Sequence, residues 1–139
     1  MATYPNTTHY SEHFKRSELD CNCGCKTPPE IEKNLIKLAG LLEELRRLAG
    51  RGLSPNCGYR CPAHNATLPG AAKASYHMKG LAADIDCSAG GRREVDRLAK
   101  LASRITAFRV AGIGVYYEGH GLFVHVDFAP RFWRGVNGR

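Results

Sequence analysis

The run GLFVHVDF, residues 121–128, places an imidazole and a carboxylate inside an otherwise apolar, strand-like segment. Alternate residues of a β-strand lie on one face of the sheet, so His125 and Asp127 share a face with Phe123, while two valines and Phe128 share the other. A polar group that is buried without a partner costs free energy. The segment therefore predicts a sheet that packs one face on the core and lines a cleft with the other.

An earlier run, GLAADIDC at residues 80–87, also predicts a short strand; it contains Asp84 and follows His77. Catalytic zinc usually takes three protein ligands from histidine, aspartate or glutamate and keeps a fourth position open. His77, Asp84 and His125 supply two imidazoles and one carboxylate, so they are candidate ligands of one zinc ion. Separately, His77 can be a surface residue, Asp84 a turn cap and His125 a hydrogen-bonded core histidine. The joint pattern favours the metal site, because both strands place polar groups where burial penalises them.

Two helices are predicted upstream of these strands and between them. Apolar residues recur at three- and four-residue intervals over residues 29–49, which predicts an amphipathic helix. Thr27 is the expected cap, Pro28 and Pro29 fit the first turn and Gly50 ends the helix. A second helix is predicted over residues 92–105.

The remaining segments complete an α+β pattern. GIGVYY at residues 112–117 predicts a strand that a turn at 118–121 joins to the next one. Residues 51–75 are rich in glycine, proline, asparagine and serine and predict a loop, which is long for a loop without function. No repeat or linker interrupts the chain, so residues 1–139 are predicted to form a single α+β domain with a small antiparallel sheet and flanking helices.

The 139-residue chain carries a formal net charge of +7, which favours polyanionic partners such as nucleic acid, an anionic membrane or an anionic bacterial wall. Its basic residues are scattered rather than gathered in a run with aromatics, which argues against nucleic acid. No apolar run is long enough for membrane insertion. The opening MATYPNTTHYSEHF lacks the segments of a signal peptide, so synthesis in the cytoplasm is expected.

Six cysteines are present: Cys21, Cys23, Cys25, Cys57, Cys61 and Cys87. Neither CNCGC nor the C-x3-C spacing of Cys57 and Cys61 is the paired C-x2-C arrangement typical of structural zinc sites. Without a signal peptide, disulfides are not the default. Free or packing thiols are therefore the favoured interpretation, and a disulfide and a second metal site are the alternatives.

Residues 58–86, GYRCPAHNATLPGAAKASYHMKGLAADID, resemble the core signature of the M15-type zinc D-Ala-D-Ala carboxypeptidases and related phage endolysins. That signature runs G-Y-R, then N, then S-x-H-x-x-G-x-A-x-D. GIGVYYEGHGLFVHVDF, with Trp133 after it, resembles the closing strands of the family, and YSEHFKRSELDCNCGC resembles the start of many such domains. The resemblance covers most of the chain and implies the compact α+β fold shared with the hedgehog signalling domain, with one catalytic zinc ion.

The resemblance also implies roles for individual residues. His77, Asp84 and His125 match the zinc ligands. Arg60 matches the residue that receives a substrate carboxylate, a task suited to the paired donors of a guanidinium, although a surface arginine is the alternative. Ser75 is a candidate for bonding substrate or orienting the site, and a turn hydroxyl is its plainer interpretation.

The general base is the role that the resemblance leaves open. Relatives carry an acid three residues before the last ligand or a histidine two residues before it, where this chain has Leu122 and Phe123. Asp127 is the candidate base because it shares a face with His125. The equally supported alternative is that Asp127 holds the His125 ring by a hydrogen bond. The adjoining turn supplies two further candidates, Glu118 and His120.

The resemblance implies a monomeric zinc metallopeptidase that hydrolyses peptide bonds in bacterial peptidoglycan stem peptides, as a D-Ala-D-Ala carboxypeptidase or an endolysin-type endopeptidase. Its small size and missing signal peptide suit a phage or prophage enzyme that reaches the cell wall through a holin-opened membrane. A non-catalytic zinc module that binds a wall peptide or a protein partner is the alternative, because the expected base before His125 is absent. A redox or metal-storage protein built on CNCGC is a third hypothesis.

Overall fold

A computed structural model describes residues 2–72, 74–118 and 121–139. It confirms the predicted α+β fold and adds short elements that the sequence did not signal. In chain order the elements are β1 (His9–Ser11), β2 (Phe14–Lys15), α1 (Arg16–Leu19), α2 (Pro29–Ala49), β3 (Pro55–Cys57), α3 (Pro62–Ala66), a 3-10 turn (Tyr76–Lys79), β4 (Ala82–Asp86), α4 (Gly91–Ala102), α5 (Thr106–Arg109), β5 (Gly112–Tyr116), β6 (Phe123–Asp127) and β7 (Trp133–Val136).

Five of the strands form one sheet in the order β3-β4-β6-β5-β7. The pairs β4–β6 and β5–β6 are antiparallel, in agreement with the predicted antiparallel sheet, and β3, which was not predicted, pairs antiparallel with β4, while the edge strand β7 runs parallel to β5. The two strands that carry Asp84 and His125, β4 and β6, are neighbours inside the sheet. Their register sets Asp84 directly opposite His125 and Ala82 opposite Asp127.

Helix α2 has the predicted bounds, and four of its leucines form one fully buried stripe: Leu35, Leu38, Leu42 and Leu45. Gly50 ends it in the left-handed conformation, at φ 69°, as predicted. The predicted Thr27 cap is wrong. The capping position is Pro28, which makes no side-chain cap, and the Thr27 hydroxyl donates instead to Asp20 Oδ1 at 3.0 Å. Since Pro29 has no N–H, the first turn has one fewer donor to satisfy.

Helix α4 ends three residues earlier than predicted, at Ala102. The chain then turns, and Ile105 is extended and buried ahead of α5. The predicted loop at 51–75 contains two short elements, β3 and α3. The predicted turn at 118–121 includes Gly119 and His120, which lie outside the described residues.

The two faces of the central strands have different surroundings. Ala83, Ile85, Val124 and Val126 are fully buried and join the core cluster formed with the leucines of α2 and the apolar face of α4. Asp84 and His125 belong to the other face. Within the described residues no helix combines the length and apolar composition needed to cross a bilayer. The prediction of a core-facing side and a cleft-lining side is thus met at the centre of the sheet.

Candidate active site

Asp84 and His125 meet across the β4–β6 pair. Their backbones are in register, and Asp84 Oδ1 lies 3.0 Å from His125 Nδ1. Both side chains are mostly enclosed, with 17% and 12% exposed. Adjacent residues on one face of an antiparallel pair have their Cβ atoms about 5 Å apart, so the register alone brings these groups together.

His77 reaches the same carboxylate from the 3-10 turn that precedes β4. Ser75 caps this turn by accepting a hydrogen bond from the His77 N–H at 3.2 Å, and Gly80 ends it at φ 70°, a conformation that favours glycine. The His77 ring is almost fully buried and places Nε2 3.2 Å from Asp84 Oδ1. Two imidazoles from different parts of the chain therefore converge on one oxygen of Asp84.

The outer nitrogen of each ring is held by a hydrogen bond. His77 Nδ1–H donates to the Gly58 carbonyl at 2.8 Å, and His125 Nε2–H donates to Asp127 Oδ2 at 2.7 Å. These bonds leave His77 Nε2 and His125 Nδ1 as the nitrogens that face Asp84. Bonds of this kind, from a ligating histidine to a carbonyl or carboxylate, are typical of metal sites.

The donor set fits a tetrahedral zinc ion along two of its edges. Zinc–ligand distances near 2.0–2.1 Å give ligand–ligand edges of about 3.3 Å. The two distances from Asp84 Oδ1 to the ring nitrogens, 3.2 and 3.0 Å, are close to this value. The third edge, between the inner nitrogens of the two rings, does not match this value. The two rings stand at 76° with centroids 5.3 Å apart, and a shared ion requires their inner nitrogens to close on the same side of Asp84.

A cysteine that the sequence analysis did not assign also lies beside His77. Cys57, His77 and Asp84 form a group whose donor atoms all lie within 4.8 Å of one another, and that group does not include His125. The Cys57 Sγ is 3.6 Å from His77 Nδ1, the nitrogen already bonded to the Gly58 carbonyl. Using Cys57 and this nitrogen would therefore break that hydrogen bond, whereas using His125 breaks none with the backbone.

The ionised groups of the cluster favour the presence of a positive charge beside Asp84. Burial raises the pKa of Asp84, but the two histidines outweigh it and hold the pKa well below its usual range. Burial lowers the pKa of His77, but Asp84 outweighs it and the pKa lies well above its usual value. An ionised carboxylate between two imidazoles attracts a cation.

Asp127 is fully buried, and it contacts His125 through Nε2, the ring nitrogen that does not face Asp84. Besides His125, its carboxylate accepts from Arg131 Nη1 and Nη2 at 2.8 and 2.9 Å and from the Ala129 N–H at 3.1 Å. Burial raises its pKa, but His125 and Arg131 outweigh this, so the pKa lies well below its usual range. Asp127 is not one of the described residues that line the cleft. This placement matches the alternative in which Asp127 orients His125.

Two residues that the sequence analysis did not assign a role complete the wall around His125. Trp133 on β7 packs edge-on to the His125 ring, at 90° and 5.8 Å between centroids. Arg131 forms two hydrogen bonds to the Asp127 carboxylate, and its Cζ lies over the Tyr76 ring, 4.4 Å from the centroid. The signal in the sequence was the glycines of AGIGVYY, since glycine inside a strand marks a close approach.

Gly112→Ala is expected to destabilise the protein by about 1–3 kcal/mol, the usual cost of overpacking. A Cβ at this position would lie 2.6 Å from Asp127 Cγ and 2.7 Å from Arg131 Nη1, and both groups are fixed by their mutual ion pair. Urea unfolding of the purified variant measures the change.

Gly40→Ala is the matched control for this substitution. Gly40 lies on the exposed side of α2, and a Cβ there meets nothing within 4 Å. Alanine is expected to stabilise this helix by up to about 1 kcal/mol. Equal stability changes in the two variants would mean that the space beside Asp127 is not closely packed.

The cluster lies in a cleft of about 1070 Å³. Arg60 and Ser75 line it with the cluster residues, and Arg60 Nη2 donates to Ser75 Oγ at 3.1 Å. Among the described residues the buried Arg60 Nε has no hydrogen-bond partner. A guanidinium with an unused donor at the edge of the cleft is suited to an incoming carboxylate.

Leu122 and Phe123 form an apolar part of the wall of the cleft, where the Phe123 ring stacks on the Tyr116 ring with centroids 4.2 Å apart. Glu118 is exposed, and His120 lies outside the described residues.

Two imidazoles and a carboxylate in a cleft that also presents a guanidinium are a donor set of the kind that hydrolytic metal sites use. The chain belongs to the Peptidase M15 family, whose sequence profile matches residues 12–127. It is also similar to a Haemophilus influenzae protein named "Probable peptidoglycan L,D-endopeptidase MepK", with 39% identity over 85 residues. That match covers 58% of this chain and 41% of the relative, so the chain matches about two fifths of the relative's length. The predicted membership of a peptidase family is confirmed.

Proposed function

We propose that this chain is a zinc peptidase that hydrolyses peptide bonds in the stem peptides of bacterial peptidoglycan. The observation that carries the proposal is the pair of histidine rings whose outer nitrogens are bonded to Gly58 and Asp127 and whose inner nitrogens face Asp84. This arrangement turns two imidazole nitrogens and an anionic oxygen towards one another, and a cation that displaces the inner protons would find three donors. Family membership supports the peptidase activity.

In this proposal His77, Asp84 and His125 hold one zinc ion. When bound there, zinc supplies a Lewis acid that polarises a carbonyl and activates water. A single carboxylate among the three ligands leaves the ion most of its positive charge. The enclosed ring of His77 and the Trp133 edge against His125 limit the rotation of both donors.

Arg60 is proposed to bind a carboxylate of the substrate. Its guanidinium is fixed by Ser75, leaves Nε unused and lines the same cleft as the ligands. Ser75 therefore has two tasks, since its hydroxyl also caps the turn that carries His77. The substrate would be positioned by an ion pair at one end of the cleft while its scissile carbonyl lies above Asp84.

Asp127 is proposed to be a positioning residue rather than the general base. Its carboxylate is occupied by three neighbours and lies beyond the His125 ring, on the side remote from Asp84. A general base has to come within hydrogen-bond reach of the proton that it removes. The contacts of Asp127 support the orientation of His125 instead.

The proposed substrate rests on the relative and on charge. The Haemophilus influenzae protein is named for peptidoglycan endopeptidase activity, which supports the endopeptidase alternative over the carboxypeptidase one. The net charge of +7 favours adsorption to an anionic cell wall. The proposed place of action is accordingly the bacterial cell wall.

Digestion of purified muropeptides tests the proposed activity. Zinc-loaded protein is expected to release new amines, and mass spectrometry separates the two kinds of cleavage. A carboxypeptidase releases free alanine, whereas an endopeptidase splits the stem peptide or a cross-linked dimer. Chelated protein is the matched control, and activity should return when zinc is added.

A non-catalytic binding module is the competing function, and one observation favours it. The wall positions where relatives carry an acid or a histidine are the apolar Leu122 and Phe123. If zinc-loaded protein binds muropeptides but yields no new amine, the binding module replaces the peptidase.

Arg60→Ala is expected to raise KM roughly 10- to 100-fold and to change kcat much less. Hydrogen bonds to a charged group contribute about 1.5–3 kcal/mol, and the guanidinium is proposed to bind a part of the substrate remote from the bond that breaks. Steady-state kinetics on a defined stem peptide measures both constants.

Arg104→Ala is the control for the loss of one positive charge, because Arg104 is exposed. It should leave both constants near their original values. An unchanged KM in Arg60→Ala would remove Arg60 from the binding site.

A further inference from the structure

We propose a second zinc site, built from the four thiols of Cys21, Cys23, Cys25 and Cys61. Their sulfur atoms all lie within 4.8 Å of one another. The cluster is composed of different residues from the His77–Asp84–His125 group, and the proposal does not depend on the activity of the cleft.

The sulfur distances match coordination rather than covalent pairing. Cys21 Sγ lies 3.3 Å from Cys23 Sγ, and Cys23 Sγ lies 3.6 Å from Cys61 Sγ. A disulfide bond is about 2.05 Å long. Zinc–sulfur bonds near 2.3 Å in a tetrahedron give sulfur–sulfur edges of about 3.8 Å, which the observed distances approach. All six cysteines are described, and none is in a disulfide.

Packing alone does not account for the convergence. Cys21 is buried, but Cys23 and Cys25 are exposed residues of a loop, where apolar burial gives no reason for their sulfurs to gather. Gly24 takes φ 82° between them, which reverses the chain so that both sulfurs face the cluster. The loop conformation thus suits a four-thiolate site.

Backbone N–H groups point at the sulfurs. The Cys61 N–H donates to Cys21 Sγ at 3.3 Å, and the His64 N–H donates to Cys61 Sγ at 3.4 Å. Hydrogen bonds of this kind stabilise metal-bound thiolates. Four thiolates select zinc over harder ions such as magnesium and calcium, and a site with four protein ligands is closed, which is the structural type.

The ion would connect two segments that already touch. The Tyr59 N–H, just before Cys61, donates to the carbonyl of Leu19, just before Cys21, at 2.7 Å. The next residue, Arg60, donates its N–H to the His77 carbonyl at 3.0 Å. A zinc ion on the four thiols would therefore fix the N-terminal segment to the loop that carries Arg60 and contacts His77.

Metal content and cobalt spectroscopy test the proposal. Protein purified under reducing conditions is expected to hold two zinc ions per chain, and Cys23→Ser or Cys25→Ser to hold one. Both replaced side chains are exposed, so neither change opens a cavity in the core. Cys87→Ser is the control, since Cys87 lies outside the cluster, and it should keep both ions.

Cobalt(II) added to reduced, metal-free protein is expected to give thiolate-to-cobalt charge-transfer absorption and tetrahedral d–d bands. His77→Ala should keep that absorption, because its imidazole is not part of the thiol cluster. Failure of the proposed peptidase would leave this signal unchanged, so the two proposals fail separately.

Two results would overturn the second site. One is wild-type protein in which cobalt gives no thiolate charge transfer. The other is a lowered intact mass of the unreduced, denatured chain, which would show that these four cysteines have lost hydrogens by forming disulfides. Cys23→Ser protein that retains the wild-type zinc content and cobalt spectrum would exclude Cys23 as a ligand and contradict the proposal as stated.

Discussion

His77→Ala is expected to lose the zinc ion of the cleft and to hydrolyse muropeptides no faster than chelated protein. The substitution removes one of three donors and leaves the mostly enclosed Asp84 carboxylate without one of its two imidazole neighbours, at 3.2 Å. His125→Ala should give the same result, because His125 is the other imidazole beside that oxygen, at 3.0 Å. Elemental analysis after gel filtration measures the zinc, and the muropeptide assay measures the activity.

Two controls separate ligand loss from other effects. His13→Ala removes a partly exposed imidazole that bonds Glu43, far along the chain from the cleft, and should keep zinc and activity. Cys57→Ser tests the other group of donors around His77, since its sulfur lies 3.6 Å from that ring. If Cys57→Ser loses the ion while His125→Ala retains it and stays active, Cys57 replaces His125 in the ligand set.

Residue types and their periodicity were enough to predict the faces of the central strands. The alternation in FVHVD places valines on one side and His125 on the other, and the structure shows the valines buried and the imidazole on the cleft. The spacing of the leucines likewise predicted α2 to the residue, because a long amphipathic helix depends on its own pattern. Local pattern was therefore sufficient where the element is long or strictly alternating.

Contacts with backbone groups could not be predicted from the sequence. The partner of His77 Nδ1 is the carbonyl of Gly58. Because every residue has a carbonyl, the residue types do not identify the one that accepts this hydrogen bond. The short strands β3 and β7 also went unpredicted, since each depends on pairing with a neighbour. The fourth thiol of the cysteine cluster, Cys61, comes from a distant segment, so CNCGC alone lacks the paired C-x2-C spacing that is typical of structural zinc sites.

Asp127→Asn is expected to weaken zinc binding roughly 10- to 100-fold, the usual effect of losing a group that orients a ligating histidine. The amide can still accept from His125 Nε2–H, but it no longer forms the ion pair with Arg131. The His125 ring is then held less firmly. Competition with a chromogenic chelator measures the affinity, and hydrolysis should recover most of its rate at saturating zinc.

The zinc dependence separates the two roles of Asp127. If it is the general base, Asp127→Asn keeps its zinc affinity and stays inactive however much zinc is added, because the missing group is the proton acceptor. Asp96→Asn, which changes an exposed acid that bonds Tyr117, is the matched control and should alter neither quantity. Thermal unfolding of the variants completes the comparison. Arg131 remains partly exposed and stacked on Tyr76, so water can solvate its charge and the fold should persist.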